Sequence, residues 1–478
     1  MINRGLNIGG KEFFKSDFLP VLNPANGDQV GSYICAKRAD VDLAVDTAYS
    51  SQKSWARVSN KAKSEILIKT ANLIQENCDQ IAQILTMEQG KTLSDSRKEI
   101  NFGAEVFRYY GDLVSKNTSE KRESSKPDFS SIVSHRPLGV IGAIVPWNYP
   151  VDLWCWKVAP ALAAGNGIVV KPPIETPLAA GLIANLLYEA GLPEGLLSDI
   201  PGGTEVGQHL VSHPRVNAIT ATCSTETGKS IMSSAAPSLK RLLLELGGNC
   251  PLIVLEDADI ENTARAALRR SFSNMGQICI AVNRIIVTEK VAHAFTETLI
   301  GLVKEMKIGN GMDPDVEYGP TTTQAVITKS ESHIMDALHR GGRLLAGGER
   351  LTDGQFSHGN FFSPTVIDRV HPNSKLAREE TFGPVVGIFT AKNSLEAIAI
   401  ANDSQFGLAA YVFGGDLEKA TEVANQLEVG GVGVNVNDVT ELDAPFGGWK
   451  MSGIGRELGR EGFFEMTQTQ HVRVKKYI

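Results

Sequence analysis

Between residues 140 and 246, short apolar runs alternate with amphipathic segments, and this rhythm limits the fold more than any single residue does. Val140–Val145, Gly167–Lys171, Leu196–Ile200, Ala218–Thr222 and Leu242–Leu246 have the length and composition of buried strands. Leu178–Ala190, Val206–Ser212 and Lys229–Ala235 read as helices between them. Strands linked through helical crossovers pair in parallel, and a parallel sheet needs helices on both faces. A second alternation follows. Ile253–Leu255, Arg284–Thr288, Phe362–Ile367, Val385–Thr390, Ala410–Phe413 and Gly433–Asn437 read as strands. Ile260–Phe272, Val291–Met306 and Gln324–His339 read as helices among them. The expected fold is α/β: one doubly wound parallel sheet followed by a second α/β unit.

Upstream, Asn23–Gly27 is a turn signal after the apolar run Leu19–Leu22. Ala39–Ala56 and Ser59–Gly111 read as long amphipathic helices, with Ile66, Leu67, Ala71, Ile74 and Ile81 at helical spacing and Gly90 as an interruption. Lys116–Ser131 is polar and marks a change of element, and Ile132–Arg136 reads as a strand. The tail Thr467–Ile478 alternates like a lone strand, so it needs a partner in another sheet or another subunit.

A chain of 478 residues is too long for one core, so two or three domains are expected. A net charge of −7, with acidic and basic residues intermixed, argues against a nucleic-acid or anionic-membrane surface. Residues 1–18 contain no apolar core of signal-peptide length, and the apolar stretches elsewhere are too short to span a bilayer. A cytoplasmic location is therefore expected. The 6 cysteines form no CxxC pair and no zinc spacing, so no catalytic metal is expected and most should be inert buried thiols.

Cys279 differs from the others in its neighbours. It follows Asn274-Met-Gly-Gln-Ile, a run suited to a bend. Glu245 precedes Leu246-Gly-Gly and ends a strand at a sharp turn. Together they offer a nucleophile and a base. Asn148, in Pro146-Trp-Asn-Tyr-Pro150, lies past a strand end and is either an oxyanion donor or a turn asparagine. Lys171 before Pro172-Pro173 pairs with a ribose or phosphate, or merely faces solvent. Cys223-Ser-Thr-Glu-Thr-Gly228 joins a strand to a helix N-terminus, a weak dinucleotide signal without GxGxxG. Glu379-Glu-Thr-Phe-Gly-Pro384 is a ribose-and-ring clamp or an acidic turn over a core phenylalanine. Pro445-Phe-Gly-Gly448 fits a pocket wall.

In this order, Pro-Trp-Asn, Lys-Pro, Ser-Thr-x-x-Gly, Glu-Leu-Gly-Gly, Gly-Gln-x-Cys, Glu-x-Phe-Gly-Pro and Pro-Phe-Gly-Gly, the chain resembles the aldehyde dehydrogenase superfamily over nearly its whole length. The resemblance implies a Rossmann-like cofactor-binding domain (1–117 and 138–247), a catalytic domain (248–440) and a small β oligomerisation element (118–137 and 462–478). Residues 441–461 then form a returning linker and pocket wall, and the chain forms a homodimer or homotetramer. It also implies roles for single residues. Cys279 attacks the aldehyde, Asn148 with the Cys279 N–H holds the oxyanion, and Glu245 activates water, which favours acid release over acyl transfer to coenzyme A. Glu380 and Phe382 hold the nicotinamide ribose and ring, while Trp147, Lys171, Ser224 and Gly228 contact the rest of the dinucleotide. The aldehyde tunnel falls to Tyr149, Leu153, Trp156, Ile278, Ile280, Thr440 and Phe446.

Two departures from the family pattern matter. Cys223 replaces the first glycine of the cofactor loop, which would crowd the loop or change its backbone angles. Ile174 stands where NAD-preferring relatives carry a glutamate, so NADP is expected to be accepted and preferred over NAD. Semialdehyde-oxidising relatives place an arginine near Trp156, and none is present there. An aromatic wall with Thr440 suits a small hydroxylated or sugar-derived aldehyde, such as lactaldehyde or an anhydro-sugar aldehyde. Succinic semialdehyde is the alternative substrate. A catalytically weak structural or binding member of the fold is the alternative of another class.

Overall fold

In the computed structural model, which describes residues 2–116, 120–123, 126 and 128–475, the first alternation forms an eight-stranded sheet. Its five central strands, Arg241–Glu245, Ala218–Thr222, Val140–Ile144, Gly167–Lys171 and Leu197–Asp199, lie side by side in that order and run parallel. Antiparallel edges close the sheet: Gly453–Ile454 beside Arg241–Glu245, and Leu6–Ile8 with Lys11–Phe13 beyond Leu197–Asp199. Chain order reverses between Val140–Ile144 and Ala218–Thr222. At such a switch point the loops leave in opposite directions and open a crevice at the carboxyl ends of the strands. Asn148, Lys171, Ser224 and Glu245 all sit at or just beyond those ends.

The second alternation forms a seven-stranded sheet in the order Arg343–Ala346, Thr365–Asp368, Val385–Ala391, Val282–Thr288, Cys250–Val254, Ala409–Phe413 and Gly431–Val434. All neighbours are parallel except the edge strand Arg343–Ala346. Its four central strands are buried along almost their whole length, which explains why they read as continuous Val/Ile runs.

Local chemistry sets most boundaries. The expected helix over Ser59–Gly111 is three helices, Asn60–Glu76, Cys78–Gln89 and Leu93–Ser115. Gly90 ends the second in the left-handed conformation (φ 103°), as anticipated, but the break at Asn77 carries no Gly or Pro signal. The helix expected from Lys229 starts at Thr225, because the Ser224 hydroxyl accepts the Thr227 N–H and caps it. The strand expected from Phe362 begins at Thr365, and that expected over Gly433–Asn437 is Gly431–Val434, ended by Asn435 at φ 54°.

The tail strand, Thr467–Lys475, finds its partner within the chain. It pairs antiparallel with Phe129–Pro137, which pairs in turn with Glu120–Glu123. Part of the expected oligomerisation element (118, 119, 124, 125, 127 and 476–478) lies outside the described residues. Among the described residues no helix is long and apolar enough to cross a membrane.

Arg284 ties the seven-stranded sheet to its loops. It is buried, and its guanidinium donates to the carbonyls of Asn249 (3.1 Å), Ile400 (2.9 Å) and Ala401 (3.0 Å). Arg284→Met leaves those carbonyls unpaired. It is expected to lower stability by about 3 kcal/mol, read as a lower urea midpoint at unchanged slope; an unchanged midpoint would show that the carbonyls find other partners.

Candidate active site

The main cleft opens at the switch point and has a volume of about 900 Å³. Trp147, Asn148, Lys171, Ser224, Glu245, Cys279, Glu380 and Phe382 line it together, although they come from six separate stretches of the chain. Gly228 does not line it. A Cβ there would meet the Leu246 side chain at 2.6 Å, so Gly228 lets the helix pack on the strand that carries Glu245.

Cys279 is presented by a backbone that ordinary residues avoid. The helix Ile260–Phe272 ends, and Asn274, Met275 and Gly276 follow with φ of 47°, 54° and 71°. Each non-glycine residue in that region costs about 1–2 kcal/mol. A Cβ at Gly276 would lie 2.2 Å from the Gly383 carbonyl oxygen, so only glycine fits. This turn sets the half-buried Cys279 beside Glu245 at the wall of the cleft, close enough for each group to shift the other's pKa. The Glu245 Oε1 atom is left with no partner.

Burial pushes the Glu245 carboxyl up to about 8, and the charge of Glu457 adds to this; Cys279 and Lys157 oppose it. Burial, followed by the charge of Glu245, holds the Cys279 thiol well above its usual range. The resting pair is therefore a neutral thiol beside a carboxyl poised near neutrality. Beneath it, Lys157 donates to Glu457 (2.7 Å) and to Thr222 Oγ1 (2.7 Å) in a fully buried pair.

Asn148 is 3% exposed, and its side-chain amide donates to the Gln277 carbonyl (2.9 Å). That bond uses one of the two amide hydrogens. Glu380 accepts the Gly248 N–H at 3.0 Å, and the Trp147 and Phe382 rings meet edge to face at 5.5 Å. Lys171 donates only to the carbonyls of Pro172 (3.2 Å) and Gly202 (2.8 Å), and among the described residues it has no carboxylate partner. Burial lowers its pKa, with Glu175 and Cys35 opposing. Ile174, 40% exposed, lines the same end of the cleft. Cys223 also lines it, outside the left-handed region, so the loop accepts a side chain there without strain. Burial pushes its thiol up to about 12, which leaves it unreactive.

The residues expected on the aldehyde side do not line this cleft. Leu153, Trp156, Ile278, Ile280 and Phe446 are buried, with Trp156 and Phe446 in edge contact at 5.2 Å. Tyr149 and Thr440 are partly exposed, and the Lys91 ammonium lies 3.6 Å from the centre of the Tyr149 ring. The backbone N–H of Thr440 donates to Asp438 (3.0 Å), which also pairs with Arg270 (2.6 Å). Sequence reasoning passed over Lys91, Glu99, Lys157, Arg270 and Glu457. Only Lys157 left a visible signal, a single charge in the otherwise apolar run Leu153–Ala163. No group of three or more possible metal ligands occurs among the described residues.

A family model described as the aldehyde dehydrogenase family matches residues 13–472. The chain belongs to that family. It is 38% identical to the NADP(+) succinate-semialdehyde dehydrogenase GabD of Escherichia coli, over 95% of this chain and 94% of that protein. It is also 38% identical to a 3-sulfolactaldehyde dehydrogenase of Pseudomonas putida, over 95% of this chain and 92% of that one. Among solved structures it resembles Staphylococcus aureus betaine aldehyde dehydrogenase in complex with NAD+. There the TM-score is 0.97 and the identity 35%, covering 99% of this chain and 95% of that one. The chain is thus an NAD(P)-dependent oxidoreductase acting on aldehydes.

The Glu245 carboxyl titrates near 8 and must be ionised to accept a proton, so activity that depends on it is expected to rise with pH and level off above about 8. In Glu245→Gln the first turnover of reduced cofactor is expected to be slower but still complete, the thiol proton passing to water, while steady-state turnover falls about 100-fold or more. Stopped-flow absorbance checks both, and an unaltered steady state in the variant would remove Glu245 from the reaction.

Proposed function

We propose that this enzyme oxidises a short aldehyde bearing an anionic far end to its carboxylic acid, through a covalent intermediate on Cys279. The observation that carries the reading is the placement of the Cys279 thiol and the buried Glu245 carboxyl, whose Oε1 has no partner, together on the wall of one cleft. Glu245 takes the thiol proton as sulfur adds to the aldehyde carbon, offsetting the high thiol pKa. The oxyanion of the thiohemiacetal is received by the free amide hydrogen of Asn148 and the Cys279 N–H. Bound NAD(P)+ supplies the hydride acceptor. Loss of hydride leaves a thioester on Cys279, and Glu245, once deprotonated, activates the water that releases the acid. Among cofactor contacts, Glu380 holds the ribose next to the nicotinamide, with Phe382 and Trp147 beside it. Ser224, capping the helix Thr225–Ala235, brings free N–H groups to the pyrophosphate.

Two features bear on the substrate. The relatives act on succinate semialdehyde, glutarate semialdehyde and 3-sulfolactaldehyde, each with an anionic terminus. This favours the semialdehyde alternative over the sugar-aldehyde expectation. Trp156 still stands where an arginine was sought. A second cation felt at that wall, besides Lys91, is Arg270, 10% exposed and paired with Asp438. Burial holds the Tyr149 hydroxyl well above its usual range, Glu99 and Asp95 add to this, and Arg270 opposes them, so its charge is felt at Tyr149. We read Arg270, Tyr149 and Thr440 as the end that receives the anion. The cofactor-binding, catalytic and oligomerisation parts are carried over at the boundaries given above, with Ile132, Val472 and Val474 exposed on the three-stranded sheet as the face for a second copy.

Two measurements test this reading. Across succinic semialdehyde, glutaric semialdehyde, 3-sulfolactaldehyde, lactaldehyde and glycolaldehyde, kcat/KM is expected to be at least about tenfold higher for the three anions; a preference for the neutral aldehydes would reverse the assignment. With Lys171 unpaired by any carboxylate among the described residues and Ile174 in place of an acid, NADP+ is expected to be used at least as well as NAD+. Ile174→Glu is expected to shift the ratio about tenfold towards NAD+. Strict NAD+ use by the unaltered enzyme would contradict the cofactor reading.

A further inference from the structure

We propose that Lys91, paired with Glu99, is a positioning residue that fixes the Asn148 amide for the reaction. The proposal rests on the reading of Asn148 as the oxyanion donor.

The Asn148 carbonyl oxygen is the meeting point of two distant segments. It accepts from Lys91 Nζ at 2.8 Å and from Asn274 Nδ2 at 3.1 Å. The Lys91 and Glu99 side chains are 1% and 0% exposed, and they form a direct ion pair. An ammonium group has three hydrogens. Here one faces Glu99, one faces the Asn148 carbonyl and the third has the face of the Tyr149 ring, 3.6 Å away at its centre. Glu99 is as fully used. One of its oxygens takes Lys91, and the other accepts the N–H groups of Val151 (2.9 Å) and Asp152 (3.2 Å), at the start of the helix Asp152–Ala163. The loop that carries Asn148 is therefore held at that residue's carbonyl and again at Val151 and Asp152 by one buried ion pair.

The second segment is held by the same stretch of chain. Gln89 accepts the Lys91 N–H at 2.8 Å and donates to Asn274 Oδ1 at 3.0 Å, so the Asn274 amide can only turn its NH2 towards Asn148. Asn274 opens the left-handed turn that leads to Cys279. Lys91 and Gln89 thus set the oxyanion donor and the cysteine against each other.

Stability alone does not account for this arrangement. A buried ion pair is often no more stabilising than apolar residues of the same volume, because desolvation offsets the attraction. What the pair supplies is direction: an ammonium anchored by a fixed carboxylate locks the plane of the peptide between Asn148 and Tyr149. An oxyanion donor must sit about 2.7–3.1 Å from an atom that exists only during reaction, and a misplacement near 1 Å lowers the rate by about 100-fold.

The test removes both charges together, as Lys91→Met with Glu99→Gln, so that no unpaired carboxylate is left buried. The rate of the first appearance of reduced cofactor is expected to fall about 10–100-fold, while KM for the cofactor stays within about twofold. The discriminating comparison is with Asn148→Ala. In that background the double change is expected to slow the first turnover by less than about twofold, since nothing remains to be positioned. A full multiplicative loss there, or an unchanged first turnover in the double variant, would overturn the proposal. If Asn148→Ala itself left the first turnover unchanged, the assignment of Asn148 would fall and the proposal with it. A slow Asn148→Ala beside a normal double variant would sink the positioning role alone. Should the double variant not fold, Lys91→Gln with Glu99→Gln, which keeps a donor, carries the same comparison. There a rate closer to the parent than to Asn148→Ala is expected, and a rate as low as that of Asn148→Ala would contradict positioning by Lys91.

Discussion

The placement of Cys279 beside the buried carboxyl of Glu245 is the constraint on which the rest of this molecule turns. Cys279 follows a left-handed turn leading into the seven-stranded sheet, and Glu245 is the last residue of a strand in the eight-stranded sheet. Neither sheet contains the reaction by itself. Each supplies half of an acid–base pair, and the cleft lies where the halves meet. Burial makes that pair useful. It raises a carboxyl that would otherwise be fully ionised to about 8, where it can both take and release a proton at cellular pH.

Around this centre the protein spends several buried charges on holding loops. Glu88 accepts the N–H groups of Leu178 (2.7 Å) and Ala179 (2.8 Å) and so caps the helix Leu178–Glu189. Lys91 with Glu99 holds the loop of Asn148, Lys157 with Glu457 lies under Glu245, and Arg284 gathers three carbonyls. None of these groups need be inside for the sake of the core. Lys157 and Glu457 meet the hydroxyls of Thr222 and Thr220, while the others meet backbone groups at the end of an element, where the ladder of a helix or sheet has run out and a polar partner is required. The rigidity of the site thus derives from backbone satisfaction near the strand ends, not from the apolar packing beneath it.

This division explains which parts were legible in the sequence. Elements with one period and clear caps were readable: Gly167–Lys171, Ile260–Phe272 and Gln324–His339 appear with the expected limits. The helix Asp152–Ala163 went unread because residues 153–163 are all buried, which erases amphipathic periodicity, and Pro160 within it suggests a break. The early strands Ile2–Arg4, Leu6–Ile8 and Lys11–Phe13 are three residues each and too short to carry a pattern. In the site, Cys279, Glu245, Asn148 and the cofactor-side residues were legible because they sit in distinctive ordered motifs. Lys91, Glu99 and Glu457 were not, because a charged residue that is buried looks in sequence like one that is solvated. Gly228 was read as a cofactor contact because its motif names it, yet the space it leaves is filled by Leu246.

The most direct test of the account is the mass of Cys279 during turnover. With Glu245→Gln, oxidised cofactor and succinic semialdehyde, rapid acid quench and peptide mapping should find the acyl group on the peptide containing Cys279. The mass should be that of the thioester, and the amount should approach one per active site. Reduced cofactor formed without any acyl adduct on that peptide would contradict covalent catalysis at Cys279, and with it the reading of the cleft.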